Sequence, residues 1–317
     1  MIRFSRVGAI VLLFCTVLLG TNCTYYSRVM ARKDLVDGSN AYKDRKFPEA
    51  QSLFRSAIAR DPNGGFVEGQ MAQLFLARTL HSEYIGNRQN SALAEEAIAE
   101  YQKALEINPN DQSSYKAIAS LYENLQKTDL WLDWVTKRSQ NTAIPAEQRA
   151  EALTSLAAKK NTCANDITDT DQVKKTIKKD GKPAFQFVKP ANPADFTTLN
   201  GCILEGTSLI DQAISLETPQ VKNANSFDIK GSSNQQLKQT QDLLKVFESA
   251  RSYKASLLVQ RMRFAEMDGK EAERDKFRDE SEDARKDFLQ LSDLVRKIQA
   301  EIDERIAAEA APTPGAG

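Results

Sequence analysis

The stretch Ala97–Pro109, AIAEYQKALEINP, decides the fold, because Ala50–Pro62, AQSLFRSAIARDP, repeats its spacing without a shift. Ala97, Tyr101, Ala104 and Pro109 stand at the same intervals as Ala50, Phe54, Ala57 and Pro62. Residues three and four apart share one face of a helix, and alanine on that face lets a second helix approach closely. The aromatic ring fills the space between layers. Proline closes each helix, since it lacks the N–H that would extend the hydrogen-bond ladder. Recurrence of this kind marks stacked helix pairs.

Composition points the same way. Of 317 residues 14 are glycine and 10 proline, about 8% of the chain against an average near 12%. So few breakers favour long helices over a turn-rich β fold. Hydrophobic residues make up 41% and charged residues 27%, enough for a folded core. Lys+Arg and Asp+Glu are both 43, so no bulk charge draws the chain to nucleic acid. A single histidine, His81, rules out a histidine metal cluster and leaves little for histidine catalysis.

The repeat resembles the tetratricopeptide repeat family. That family's first-helix pattern, W-x2-L-G-x2-Y, has its counterpart in Tyr115, Ile118, Ala119 and Tyr122, starting six residues after Pro109. After Pro62 the equivalent places hold Met71, Ala72 and Phe75, with Glu68 departing; in the first repeat Gly38 is retained and Phe47 precedes Ala50. The two prolines lie 47 residues apart instead of the ~34 of the family, and the surplus is assigned to a longer helix and loop at 79–91. A helix over 129–140 puts Trp131 where the family has alanine. The next first helix is expected over 146–163, with its partner carrying Gly206, Ile210, Ala213 and Pro219. Ser252-Tyr253-Lys254-Ala255 echoes Ser114-Tyr115-Lys116-Ala117, and Gly269 marks a turn.

The first six residues carry Arg3 and Arg6, and 7–20 (VGAIVLLFCTVLLG) is apolar and uncharged, the layout of a secretory signal. Leu18-Leu19-Gly20 ahead of Cys23 resembles a bacterial lipoprotein processing site, which implies lipidation of Cys23; Asn22 departs from that pattern. An uncleaved anchor is the competing reading, since no charge occurs from Val7 to Ser27, close to the ~20 residues that span a bilayer. A cleaved, free protein is the third. All three put the body in the cell envelope, facing the periplasm or the exterior.

Cys15 and Cys23 fall at that end, leaving Cys163 and Cys202 for the body, where an oxidising compartment favours a disulfide between them. They flank an insertion in which Val173 and Ile177, then Phe185 and Phe187, stand on either side of Asp180-Gly181. Asp-Gly between such runs signals a β-hairpin, because the turn needs positive φ. Its lysines and aromatics form a candidate contact surface. Residues 220–233 read as an irregular linker, and Ser233 with Gln236 forms a capping box opening a long helix. Phe277, Ala284, Phe288, Leu291, Val295, Ile298 and Ile302 make a heptad stripe, suited to capping the helix stack or to self-association.

The expected fold class is all-α, an α/α superhelical solenoid of tetratricopeptide-like helix pairs with a small inserted β-hairpin and a long C-terminal helix. The expected segments are signal or anchor 1–23, tether 24–33, repeats 34–163, insertion 164–195, second helix of the fourth repeat 196–219, linker 220–233, long helices 234–309 and a disordered tail 310–317. No nucleotide loop, HExxH, CxxC or GxSxG motif occurs. Ser113-x-x-Lys116 matches S-x-x-K without the other motifs of serine acyl-enzymes. Neither an enzyme nor a cofactor, metal or nucleic-acid partner is expected.

Stacked helix pairs leave an extended surface suited to a protein or peptide partner. The resemblance implies a groove lined by first helices, which assigns Ser39, Tyr42 and Lys43, then Gln73 and Leu76, then Lys116, Ser120 and Glu123 to partner binding. The alternatives are surface capture of a small ligand or glycan, with Trp131 and Trp134 as its aromatics, and a self-assembling structural component. Membrane attachment falls to the N-terminus.

Overall fold

A computed structural model describes the backbone of residues 6–61, 64–179 and 181–310, and side chains from Thr24 onward except at 179 and 310. The described residues form eleven α-helices and one two-stranded antiparallel sheet. They fall into two compact units, Met1–Trp131 and Leu132–Gly317.

The first unit holds α1 (Arg6–Lys43), α2 (Phe47–Ala59), α3 (Val67–Gly86), α4 (Ser91–Ile107), α5 (Gln112–Asn124) and the start of α6 (Thr128–Gln140). From α1 to α5 consecutive helices pack on one another, and α1 also lies against α3. Contact with the neighbour and the next but one is the geometry of stacked helix pairs. The repeat residues make the core: Ala50, Phe54 and Ala57 on α2 and Ala97, Tyr101 and Ala104 on α4 are all buried. Gly38 is needed where α1 crosses α2, because a Cβ there would stand 2.7 Å from the Phe54 ring. The surplus between the repeats is an α3 of 20 residues and the loop after it.

Residues 24–33, expected as a tether, lie inside α1. They contain no glycine or proline, Ala31 is fully buried, and Arg28 reaches Glu68 on α3 at 3.1 Å. The signal, anchor and Cys23 lipidation readings concern side chains outside the described ones, as do Pro62 and the tail 311–317. Among the described residues no helix is long and apolar enough to cross a membrane.

The second unit continues α6 and adds α7 (Ala146–Thr168), β1 (Lys174–Lys179), β2 (Lys182–Phe187), α8 (Pro193–Ser215), the short α9 (Pro219–Lys222), α10 (Asn234–Met267) and α11 (Glu271–Ala310). Helix α7 pairs with α8, α10 packs on both, and α11 runs along α10. Helix α7 continues past Cys163 because Ala164 and Thr168 extend its buried row. Gly206 sits where α7, α8 and α10 converge: a Cβ would lie 2.8 Å from Leu257 and 3.0 Å from Lys160. Cys163 and Cys202 are joined in a disulfide between α7 and α8, with Cα atoms 6.2 Å apart.

The hairpin pairs Lys174 with Phe187 through Lys179 with Lys182, and Gly181 takes φ 74° at its turn. The Ser233–Gln236 capping box is formed. Gly269, at φ 72°, turns α10 into α11. The heptad stripe of α11 is used within the chain: Leu291, Val295 and Ile298 join Leu244 and Phe247 in one cluster, and Phe277 joins Leu258 and Ala265 in another. The all-α class, paired helices, inserted hairpin and long C-terminal helix are those expected.

Candidate partner-binding surface

Three alternate helices of the first unit, α1, α3 and α5, carry side chains that bridge from one to the next. The Tyr42 hydroxyl on α1 lies 3.0 Å from Ser82 Oγ on α3. Arg78 of α3 and Arg88 in the loop after it donate to Ser113 Oγ (3.1 Å) and Asn124 Oδ1 (2.8 Å) at the two ends of α5. Aromatic rings sit beneath: Phe75 stacks on Phe54 at 5.7 Å, meets Tyr42 edge-on at 6.5 Å and lies under Arg78 at 5.5 Å. Each arginine thus sets its guanidinium over a ring, Arg88 over Tyr84 at 5.8 Å, while reaching across to α5.

The start of α5 is fixed by its cap. Asp111 accepts from the Ser114 N–H at 2.9 Å and from Ser113 Oγ. Burial works against its charge, yet these bonds hold the carboxyl below its ordinary range. The serine of the S-x-x-K match is therefore part of a helix cap and takes a bond from Arg78. Behind the face, His81 stands 3.4 Å from the Tyr101 hydroxyl. Burial, with Arg88 close by, lowers the His81 pKa, and burial raises that of Tyr101.

The groove residues assigned from the sequence divide by helix. On α5, Lys116, Ser120 and Glu123 are exposed on the same helical face as Ser113 and Asn124, the two bridged positions. On α1, Tyr42 and Lys43 line a depression of about 400 Å³ with Ser82 and Ile85. Ser39 is half-buried and donates to the Leu35 carbonyl at 2.7 Å.

On α3 the assignment needs correcting. Gln73 and Leu76 lie on the opposite side of the helix from Phe75, Arg78 and Ser82, and Leu76 is only 1% exposed. They floor a cleft of about 850 Å³ bordered by α2 and α4. Gln73 is held there by the buried Glu100 of α4, donating to its carboxylate at 2.6 Å and to its carbonyl at 3.0 Å. The α3 residues that do face α1 and α5 are Met71, Phe75, Arg78, Ser82 and Ile85. Their spacing of three and four is a helical face that could have been found in the sequence. Ile85 is 53% exposed beside the depression.

Trp131 is buried and Trp134 half-buried, so neither presents the open ring that ligand capture requires. Among the described residues no group of three His, Cys, Asp or Glu side chains is placed to hold a metal ion.

No family model matches the chain, and no curated protein matches it in sequence. Among solved structures, the chain is similar to a tetratricopeptide repeat protein from Parabacteroides merdae ATCC 43184, at a TM-score of 0.32 and 12% identity. That match covers 84% of this chain and 99% of the other.

Proposed function

We propose that this chain is a non-catalytic interaction scaffold of the bacterial cell envelope, held at a membrane by its N-terminus, with the α1/α3/α5 face of the first unit receiving a protein or peptide partner. The bridged row of α1, α3 and α5 carries the reading. It fixes three helices side by side, so that Lys43, Ile85, Lys116, Ser120 and Glu123 stand on elements already ordered before a partner arrives. A preformed surface loses less freedom on binding than a loop does. Its mixture of aromatic, aliphatic and charged groups suits a polypeptide. The envelope and membrane parts rest on the basic start, the apolar run 7–20 and Cys23, and the disulfide fits the same compartment.

Photo-crosslinkers placed singly at Ile85 and at Ser120 in the native envelope test the face. Both positions should capture the same protein, and a crosslinker at exposed Ser52 on α2 should not. Capture of unrelated proteins from the two positions, or equal capture from Ser52, overturns the assignment. The tether is tested separately by intact mass: a diacylglyceryl-Cys23 start or an unprocessed Met1 start supports it, and an unlipidated chain lacking the apolar run overturns it.

A further inference from the structure

The depression at the ends of α1 and α3 combines an apolar floor with unpaired charge of one sign. The Tyr42 and Phe47 rings meet there at 6.1 Å, and the Tyr42 hydroxyl is engaged with Ser82. Ile85, 53% exposed, lines it from α3. Lys43 and Arg45 line the same space of about 400 Å³, and both are exposed. Among the described residues no acidic side chain pairs with either. The acids beside them in sequence are engaged elsewhere, Asp44 with Lys46 at 3.5 Å and Glu83 with Gln51 at 2.5 Å.

The turn that carries Arg45 closes α1 in a form that usually takes glycine. Arg45 has φ 60°, in the left-handed region. Its N–H donates to the Tyr42 carbonyl at 3.0 Å, and that of Lys46 to the Ala41 carbonyl at 2.9 Å. This pair of bonds makes a helix C-cap whose left-handed position favours a residue without Cβ. Gly269 fills that position after α10, whereas Gln126 holds it after α5 at φ 56°. At the end of α3 the Asn87 N–H covers the Glu83 and Tyr84 carbonyls. With the last carbonyls of both helices bonded, the rim presents two cations instead of bare acceptors.

We infer that this depression receives an apolar side chain from an acidic segment of a partner protein. The side chain seats among Tyr42, Phe47 and Ile85, and carboxylates on either side of it meet Lys43 and Arg45. Charge complementarity selects the acidic segment. The open shape selects a side chain over a lipid tail, because an acyl chain needs an apolar enclosure. Here Ser82 lies in the wall and Ile85 stays half in solvent. Along α3 the depression continues into Ser82 and Arg78 of the bridged row, so a segment that fills it runs onto the face already described. The inference rests on the reading of that face and names the chemistry of its partner.

The test measures binding of the full chain to labelled synthetic peptides, blocked at both ends, in three sets. The first carries leucine or phenylalanine among glutamates, the second the same apolar residues among lysines, the third serine among glutamates. The first set alone should bind, and more weakly as salt rises. Ile85→Ser should weaken that binding roughly fivefold or more, and Arg45→Gly or Lys43→Gln roughly two- to fivefold each. Glycine suits φ 60°, so Arg45→Gly should unfold at no lower temperature, which separates lost charge from lost fold. No binding by the first set overturns the inference, as does equal binding by the second or third, or indifference to these substitutions. Displacement of the peptides by laurate at equal concentration also overturns it and assigns the depression to an amphiphile. The face is read separately by the crosslinker at Ser120. If the protein captured there is captured equally by the chain with both cations replaced, the face stands and the depression's part in it falls. Peptide binding that depends on Ile85 and Arg45, while the Ile85 and Ser120 crosslinkers share no partner, keeps the depression and loses the face.

Discussion

The two units solve the problem of stacking helices in different ways. The first is joined by repetition: Arg28–Glu68, Tyr42–Ser82 and Arg55–Glu96 are polar contacts between residues 40, 40 and 41 positions apart. Each links a helix to the one two places on, over a core of alanine and single aromatic rings. The second unit relies on length. Helices α10 and α11, of 34 and 40 residues, bury leucine, isoleucine and phenylalanine along one seam, and a disulfide ties α7 to α8. Repetition keeps an outward face regular and open. Length and a staple permit an irregular insertion, the hairpin, without loss of the core.

The sharpest way to break this contrast is to remove one core ring from each unit. Phe54 and Phe247 are both fully buried, and replacing either by alanine should cost about 3–5 kcal/mol. Calorimetry should show Phe54→Ala lowering one transition and Phe247→Ala the other. A single transition lowered by both would mean that the units unfold as one body. Next in size is the staple. Replacing both Cys163 and Cys202 by serine releases a crosslink spanning 39 residues, which in the chain-entropy account removes roughly 3–4 kcal/mol. The loss should appear in the second unit's transition and leave the first unmoved.

The smallest effect sharpens the first unit. Asp34 on α1 is buried, which disfavours its charge, but bonds from Arg60 and Ser56, each 2.8 Å, hold its carboxyl below the ordinary range. A depressed carboxylate stabilises the fold above about pH 4, the unfolded value, and that contribution is lost as pH falls through the folded value. Asp34→Asn should therefore destabilise the first unit by about 1–2 kcal/mol at neutral pH and flatten its acid-unfolding slope below pH 4, as followed by circular dichroism. An unchanged slope would show that the pair does not govern acid stability.

How far the sequence could be read follows from the same contrast. Signals within one helix or one turn were legible: the alanine and aromatic spacing of α2 and α4, Asp180-Gly181 in the hairpin, Ser233 and Gln236 at the start of α10. The cysteine pair was legible because only two remained once the N-terminal end was set aside. The face of α3 was legible in the three-and-four spacing of Met71, Phe75, Arg78, Ser82 and Ile85, but the burial of Gln73 on its other side was not. Glu100, 27 residues away, captures Gln73, and no local pattern announces a contact at that distance. The division between units falls inside α6, between Trp131 and Leu132, where neither glycine nor proline marks it. Residues 24–33 were readable as helix from their lack of breakers, but the adjoining apolar run suggested a change of role and hence of structure.

That continuity of α1 has a mechanical side. A helix of 38 residues is about 57 Å long and advances about 100° with each residue. Arg28 and Ala31 lock its rotation to α3 and the core, so the azimuth of the helical residues before them, from Arg6, is set as well. Inserting one residue between Tyr26 and Arg28 would turn the apolar end by about 100° while moving it only ~1.5 Å along the axis. Helical phase, more than reach, is what the start of the chain passes on to the repeats.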